Sequence, residues 1–413
     1  MSCHYWVPTK RRYCKFPALS DEKYCSIHRT GTGENERVPC PLDPRHSIYK
    51  KDTESHLIKC SLASQRLFEA NQPCMRLRCN VAPESFIPNE GSSDELPADL
   101  STWTKFLSKI RAGLLLQLGD TYICDESAPF SPPPVTVLVE RCAQSVTGKP
   151  VSEMDKHNCQ NAALLALMDT YDESVVYAEL GCGKAGLTRW LMEGGTSASY
   201  VLLDCEARRN KQENKQGLDV DRSAVVRLRL DIRDFDLAHF LTHQDIAELP
   251  ESDSSKPGSM DWRIHQLRLK VSSLRARPSW PPVHLVGVAK HLCGAATDWG
   301  LRCLVQSGHP SISMLVATCC HHRCIWSELV GRDSLSALGL GEAQFKLMLG
   351  MAGWATTLDV DEEKRLVGRL VKSVVDLSRL VWLRINCPKM KLEYRKYISE
   401  SVTPENFVIK MAM

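Results

Sequence analysis

Eight of the nine Cys and His side chains in the first 60 residues fall into two sets of four, and their spacing constrains the chain more than any other feature. Cys3, Cys14, Cys25 and His28 follow C-x10-C-x10-C-x2-H, and Cys40, His46, His56 and Cys60 follow C-x5-H-x9-H-x3-C. The segment has little apolar periodicity, so it cannot bury enough surface to fold unaided and needs a staple. Four soft or borderline ligands in so short a piece suit a closed tetrahedral zinc site. Cys25 and His28 fit on one turn, and His56 and Cys60, four apart, share a helical face. Pro39, Pro41 and Pro44 stiffen the loop that carries Cys40 and His46, while Trp6, Tyr13 and Tyr24 offer the first set a minimal apolar cap. Two structural zinc ions are expected, in modules spanning residues 1–32 and 37–62, and they contribute folding free energy and no chemistry.

The chain has 18 cysteines, and their reading depends on the compartment. No N-terminal apolar stretch of leader length and no run of about 18 apolar residues occurs, so no membrane span is expected. The sequence reads as intracellular, in cytoplasm or nucleus, where thiols are metal ligands, buried groups or reactive groups more often than disulfides. Cys74 and Cys79 lack matching partners and read as ordinary thiols. A net charge of +3 does not by itself demand a nucleic-acid partner. Local clusters exist at 10–12, 208–215, 263–277 and 389–396, each of which also fits a solvated helix face. On the finger segment Lys10, Arg11, Arg12, Lys15, Lys50 and Lys51 suit a phosphate backbone, with a protein surface as the competing contact.

Residues 63–134 read as a helical and linker region: a basic helix over 61–80, a linker over 88–101, a helix over Trp103–Leu118 with apolar residues at helical spacing, and a Pro-rich break at 127–134. Residues 135–413 alternate helix and strand. A helix over Ser152–Thr170 precedes a strand at Val175–Leu180, a Gly-rich turn and a helix through Trp190. Strands follow at Tyr200–Leu203, Ala224–Leu230, His284–Ala289 and Ser313–Ala317, with helices between and after, and the polar stretch 243–282 reads as an insertion. Strands separated by helices predict a parallel, doubly wound α/β sheet.

The turn after the first of these strands reads Glu179-Leu-Gly181-Cys-Gly183-Lys-Ala-Gly186. Glycines there let the backbone turn tightly and approach a ligand closely. The fingerprint alone also fits NAD enzymes. Three acids favour AdoMet: Glu179 just before the glycines, for the amino group of a methionine moiety; Asp204 ending the next strand, for a ribose diol; and Asp231 ending the third, for an adenine amino group. A pyrophosphate at the same helix start would be opposed by Glu179. The expected fold is therefore a Rossmann-like class I AdoMet methyltransferase carrying two small zinc modules.

The fourth and fifth strands run into Lys290-His291-Leu-Cys293-Gly294 and Thr318-Cys319-Cys320-His321-His322-Arg323-Cys324. In an open α/β sheet, ligand chemistry collects at the carboxyl ends of the strands. The Asn/Asp-Pro-Pro-aromatic tetrapeptide of amino-group methylation is absent. Cytosine-5 methylation needs a thiolate, for which Cys319 and Cys293 are available. Ribose 2′-oxygen methylation needs help in removing a hydroxyl proton and cations to hold phosphate, and Lys290, His291, His321, His322 and Arg323 suit it. A third metal site is disfavoured because nearly contiguous residues converge poorly on one ion. An RNA-binding zinc-finger adaptor without catalysis is the remaining alternative, and the three acids argue against it.

These blocks together resemble the eukaryotic tRNA 2′-O-methyltransferases that modify nucleotide 4 of the acceptor stem. The resemblance runs through WVPTKRRYC, YCSIH, CPLDPRHSIYKKDTESHLIKC, KHNCQ (Lys156–Gln160), AELGCGKAGLT, LLDCEARRNKQEN, RLRLDIRDFDL, VAKHLCGAATD, ATCCHHRC and GLGEAQFKLMLGMAGWATT. It implies AdoMet as methyl donor and tRNA as substrate, with cytidine or adenosine of glycine, proline and histidine tRNAs as the usual targets. It also implies a CCCH finger and a CHHC finger of a type found in a minor-spliceosome protein. No protein partner is evident. The K-D-K-E tetrad of several other 2′-O-methyltransferases cannot be read here, so Lys290 or His291 is expected to assist deprotonation, with His322 and Arg323 orienting the flanking phosphate.

Overall fold

Val175–Leu180, a run of six residues buried on both faces, has the continuous apolar character of a central parallel strand, and the architecture is built outward from it. The computed structural model describes residues 2–7, 12–20, 23–25, 28, 36–42, 46–72, 74–83, 96–123, 130–131, 136–169, 171, 174–194, 198–214, 221–242, 260–357 and 359–413. They form two compact units, residues 1–71 with 255–264, and residues 72–254 with 265–413.

The first unit holds two antiparallel hairpins, β1 (Trp6–Val7) with β2 (Arg12–Tyr13) and β3 (Arg37–Pro39) with β4 (Ser47–Tyr49), followed by α1 (Thr53–Lys59) and α2 (Ser61–Ala70). Its buried cores are almost all sulfur: Cys3, Cys14 and Cys25 in one, and Cys40, Ile48 and Cys60 in the other. A chain that buries so little hydrocarbon depends on its ligands for order.

In chain order, the second unit begins with α3 (Leu100–Leu118), β5 (Tyr122–Ile123), α4 (Val137–Thr147) and α5 (Lys156–Ala166). It continues through β6 (Val175–Leu180), α6 (Gly186–Glu193), β7 (Ser199–Leu203), β8 (Val225–Leu228), α7 (Leu237–Thr242) and, from His265 onward, α8 (Met260–Arg275). Next come β9 (His284–Cys293), α9 (Ala295–Gln306), β10 (Ile312–Cys319), α10 (Arg332–Ala337), α11 (Glu342–Met351), α12 (Glu362–Asn386), β11 (Lys391–Lys396) and β12 (Phe407–Ala412). The eight-stranded sheet runs β5-β11-β12-β10-β9-β6-β7-β8. The strands from β10 to β8 are parallel, and β12 is antiparallel to both β10 and β11. Chain order reverses between β6 and β9, a topological switch point with ligand space beyond the carboxyl ends. One core joins Val139, Leu164 and Trp190 of α4, α5 and α6 to Tyr177, Tyr200, Val288 and Leu315 of the sheet. Elsewhere α9 packs on β9 and β10, while α12 packs on α3 and β11.

Several expectations change. The helix expected over Trp103–Leu118 forms as α3, with Asp99 and Thr102 in a capping box at its start, but the residues after it add β5, an unexpected strand that pairs with β11. The stretch taken as insertion contains α8, with Val271 and Leu274 fully buried and Arg275 lying 5.3 Å over the Phe240 ring. Its first part, 243–259, lies outside the described residues, as do most of the 88–101 linker, nearly all of the 127–134 break, and Lys10 and Arg11. The chain also ends in a strand pair, where helices alone were expected after β10. Among the described residues no helix is long and apolar enough to cross a membrane.

Candidate active site and metal centres

Because β6, β7, β8, β9 and β10 are parallel, the glycine turn, Asp204, Asp231 and the clusters at the ends of β9 and β10 all lie at the carboxyl ends of the strands. Gly181 (φ +68°) and Gly183 (φ +51°) follow β6 in left-handed conformations that favour glycine. A Cβ at Gly183 would meet no atom within 4 Å, so the turn borders open space. Asp204, ending β7, fixes the turn: its Oδ2 accepts from Gly183 N at 2.7 Å and its Oδ1 from Glu206 N at 2.7 Å. From β8, Arg227 donates to Gly183 O and Cys182 Sγ, each at 3.0 Å. Glu179 is buried, and its Oε2 accepts from Thr188 N at 3.2 Å and from Thr188 Oγ1. Burial raises its pKa to about 7 against the opposing pull of Thr188, Arg227 and Lys290. Asp231, just after β8, caps the Ile232–Asp234 turn and pairs with Arg233 at 2.9 Å.

Lys290 reaches back toward the same turn. Its Nζ donates to Asn161 Oδ1 at 2.6 Å and to His157 O at 3.3 Å. Burial lowers its pKa to about 8, although Glu179 and Asp155 pull the other way. The acceptors come from the KHNCQ block and the Asn that follows it. Asp155 caps α5 through His157 N and Asn158 N, so the helix start that carries them is rigidly set. Asn161, Thr188 and Arg227 were not picked out from the sequence. Each has a signal in the sequence: Thr188 ends the AELGCGKAGLT block, Arg227 begins RLRLDIRDFDL, and Asn161 stands beside KHNCQ.

His291 is the extra residue of a β-bulge. Lys290 pairs with Ala317 and Leu292 with Thr318, leaving His291 (φ +64°) unpaired between them. Bulges re-aim side chains at functional edges. Desolvation of its ring, then Lys290 and His157, lowers the pKa of His291 to about 4, so the imidazole is neutral at physiological pH. The short helix His321–Arg323 follows β10. It leaves His322 and Arg323 exposed and turns His321 inward.

His321 is therefore corrected from substrate contact to scaffold. Its Nε2 lies 2.9 Å from Asp376 Oδ2, which also accepts from Thr318 Oγ1 at 2.8 Å. Arg379, fully buried, bridges Asp376 at 2.9 Å and Asp298 at 2.7 Å, and it reaches Gly294 O and Cys324 Sγ at 3.3 Å each. Burial alone would raise the Asp376 carboxyl, but His321, Arg379 and Thr318 hold it well below the usual carboxylate range. This network ties the loops after β9 and β10 to α9 and α12. Of the two thiols considered for cytosine addition, Cys319 is only 4% exposed. Its hydrogen bond to Cys293, and then burial, push its thiol up. Cys293, half-buried, is the acidic partner at about 6.

The two finger sets converge as their spacing predicts. Cys3 Sγ and Cys25 Sγ lie 3.5 and 3.4 Å from His28 Nδ1, and Cys14 and Cys25 sulfurs lie 4.0 Å apart. In the second set, the Cys40 and Cys60 sulfurs are 3.9 Å apart and His46 Nε2 is 3.1 Å from His56 Nε2. Tetrahedral zinc with its usual bond lengths spaces sulfurs about 3.8 Å apart and nitrogens about 3.3 Å apart. Both donor sets fit zinc.

Residues 159–365 match the family profile described as Methyltransferase TRM13, half of the chain. Residues 1–29 match the CCCH zinc finger in TRM13 protein, and residues 37–61 match the U11-48K-like CHHC zinc finger. The chain belongs to the TRM13 methyltransferase family. It is 26% identical to the tRNA:m(4)X modification enzyme TRM13 of Eremothecium gossypii, over 91% of this chain and 87% of that protein. It is 25% identical to the TRM13 homolog of Homo sapiens, over 86% and 74% respectively. It is also 25% identical to TRM13 of Schizosaccharomyces pombe, over 91% and 95%. No solved structure matches the chain. Membership in this family implies AdoMet as methyl donor, and the finger domains with their converging ligands imply zinc.

Proposed function

We propose that the chain is an AdoMet-dependent tRNA 2′-O-methyltransferase acting on the ribose of nucleotide 4 in the acceptor stem. Its catalytic domain, about 135–413 with β5 of the preceding region added to its sheet and α3 packed on α12, reads as Rossmann-like class I. The finger modules span 1–32 and 37–62. The observation that carries the reading is the glycine turn and Lys290 meeting at one sheet edge, linked through Glu179 and Asn161. The strand order, with its antiparallel β12, supports the class I assignment. The relatives' shared name, tRNA:m(4)X modification enzyme, supports the substrate and position.

The open space at Gly183 and the anchored turn fit AdoMet. Gly181 and Gly183 admit its close approach, Glu179 stands at the methionine end, and Asp204 and Asp231 serve ribose and adenine. AdoMet supplies an electrophilic methyl on a sulfonium, so the protein's task is alignment and removal of one proton. Lys290 Nζ accepts the proton of the 2′-hydroxyl. A pKa near 8 keeps a useful neutral fraction at physiological pH, whereas His291 near 4 is too weak a base. His291 faces the nucleotide as a neutral hydrogen-bonding group, and Arg323 and His322 hold the flanking phosphate. The fingers, with Arg12, Lys15, Lys50 and Lys51, contact duplex phosphates, since A-form RNA is recognised mainly by shape and backbone.

The test is nucleoside mass spectrometry of tRNA incubated with the protein and labelled AdoMet. A 2′-O-methylated nucleoside is the expected product. 5-Methylcytidine would transfer the chemistry to Cys293. Absence of product together with failure to bind AdoMet in calorimetry would overturn the enzyme reading in favour of an adaptor.

A further inference from the structure

Three thiols at the same end of the sheet take no part in binding AdoMet or in removing the proton. Cys293 ends β9 and Cys319 ends β10, and the two are direct register partners. Without the bulge at His291, Cys293 would face Cys320 instead. With it, the Cys293 and Cys319 sulfurs lie 3.5 Å apart. The sulfur of Cys320 joins them, all three lying within 4.8 Å of one another.

That convergence runs against ordinary strand geometry, in which neighbouring side chains point to opposite faces. Cys320 escapes it by adopting a left-handed conformation (φ +48°), uncommon for a residue with a side chain. Gly294, one residue past Cys293, is also left-handed (φ +59°) and packs so closely on the Arg323 backbone that no Cβ fits there. Arg379 holds both loops from behind through Gly294 O and Cys324 Sγ. Three backbone irregularities thus bring three sulfurs together. Strain of this kind persists where the surroundings over-determine it, and it clusters at functional sites.

The finger sites converge within the same 4.8 Å, although their thiol pairs stand slightly farther apart, at 4.0 and 3.9 Å. We propose that Cys293, Cys319 and Cys320 form a third metal site, for a thiophilic divalent cation of the zinc class, clamping the ends of β9 and β10. Three protein thiolates leave the fourth position to water, the pattern of an open rather than a closed zinc site. The ion bridges the strand end that carries Lys290 and His291 to the one that carries His322 and Arg323. A two-thiol disulfide would account for Cys293 and Cys319 but leave the left-handed turn at Cys320 without a purpose.

The test is metal content of the full-length protein, purified with zinc under reducing conditions, by inductively coupled plasma mass spectrometry. Three zinc ions per chain are expected. Cys3→Ser, in the first finger, should fall to two. Cys320→Ala should also fall to two while keeping both fingers, and because Cys320 is half-buried it is the variant least exposed to misfolding. Melting temperature and circular dichroism establish that it folds, and Cys293→Ser provides an independent second variant. Two zinc ions in the wild type, three retained in folded Cys320→Ala, or a Cys293–Cys319 disulfide found by peptide mapping of protein kept under reducing conditions would each overturn the proposal.

Discussion

Replacing Lys290 by Met keeps the length and apolar stem of the side chain and removes the amine. In the structure the amine is held by Asn161 Oδ1 at 2.6 Å and by His157 O at 3.3 Å, with its pKa lowered to about 8 by burial. A general base acts in its neutral form, so activity follows the deprotonated fraction. With a pKa near 8 that fraction is about 9% at pH 7 and about 91% at pH 9, a rise of about tenfold. Wild-type kcat/KM under limiting tRNA should therefore climb with pH through about 8 and then level off. Lys290→Met should lower kcat/KM by about 10²–10⁴, the usual worth of a positioned base or roughly 3–5 kcal/mol, and flatten that limb. Calorimetric AdoMet affinity should stay within a few-fold of wild type. Asn161→Ala removes an acceptor that favours the ammonium form, so its limb should move to lower pH. Lys290 is not the base if Lys290→Met keeps activity within about threefold of wild type, or if its pH profile still rises through 8.

Other outcomes follow from the same contacts. Asp298→Ala removes two hydrogen bonds to the buried Arg379, at 3.1 and 2.7 Å, and one from Val330 N at 3.2 Å. Leaving a buried cation half-paired should cost about 3–5 kcal/mol, seen as a fall in urea midpoint, and a loss under about 1 kcal/mol would mean the network is not holding the loops. Gly183→Ala adds a Cβ that meets nothing in the protein, so stability should fall only by about 1–2 kcal/mol for the left-handed backbone. AdoMet affinity should drop at least tenfold, and an unchanged calorimetric Kd would move the cofactor elsewhere. His56→Ala, or chelation of the second finger, should release one zinc and weaken tRNA binding in filter assays. Undiminished affinity would make that finger a protein-facing module.

Much of this organisation was legible where the chemistry is local. The eight finger ligands, the five parallel strands and the glycine turn each announce themselves through spacing, a short apolar run, or residues that only one backbone shape tolerates. Longer-range features did not. Strand β11 reads Lys-Leu-Glu-Tyr-Arg-Lys, with Leu392 and Tyr394 buried, an alternation visible in sequence but easily lost after the long amphipathic α12. The role of α3 depends on its packing against α12, some 260 residues away, and no local pattern encodes that. His321, His322 and Arg323 are adjacent in sequence, yet the turn buries the first against Asp376 and exposes the other two. The same limit applies to Cys293, Cys319 and Cys320. Judged by sequence proximity they should not converge, but a bulge and a left-handed residue bring them together.

Methyl transfer to the 2′-oxygen of nucleotide 4 can be measured with a tRNA carrying a single 2′-deoxy substitution at that nucleotide. Paired with the unmodified tRNA and labelled AdoMet, it isolates the acceptor atom without altering the base. One methyl per unmodified tRNA is expected, with incorporation at background for the deoxy substrate. Equal incorporation into both would contradict it, placing the methyl on a base or on another nucleotide.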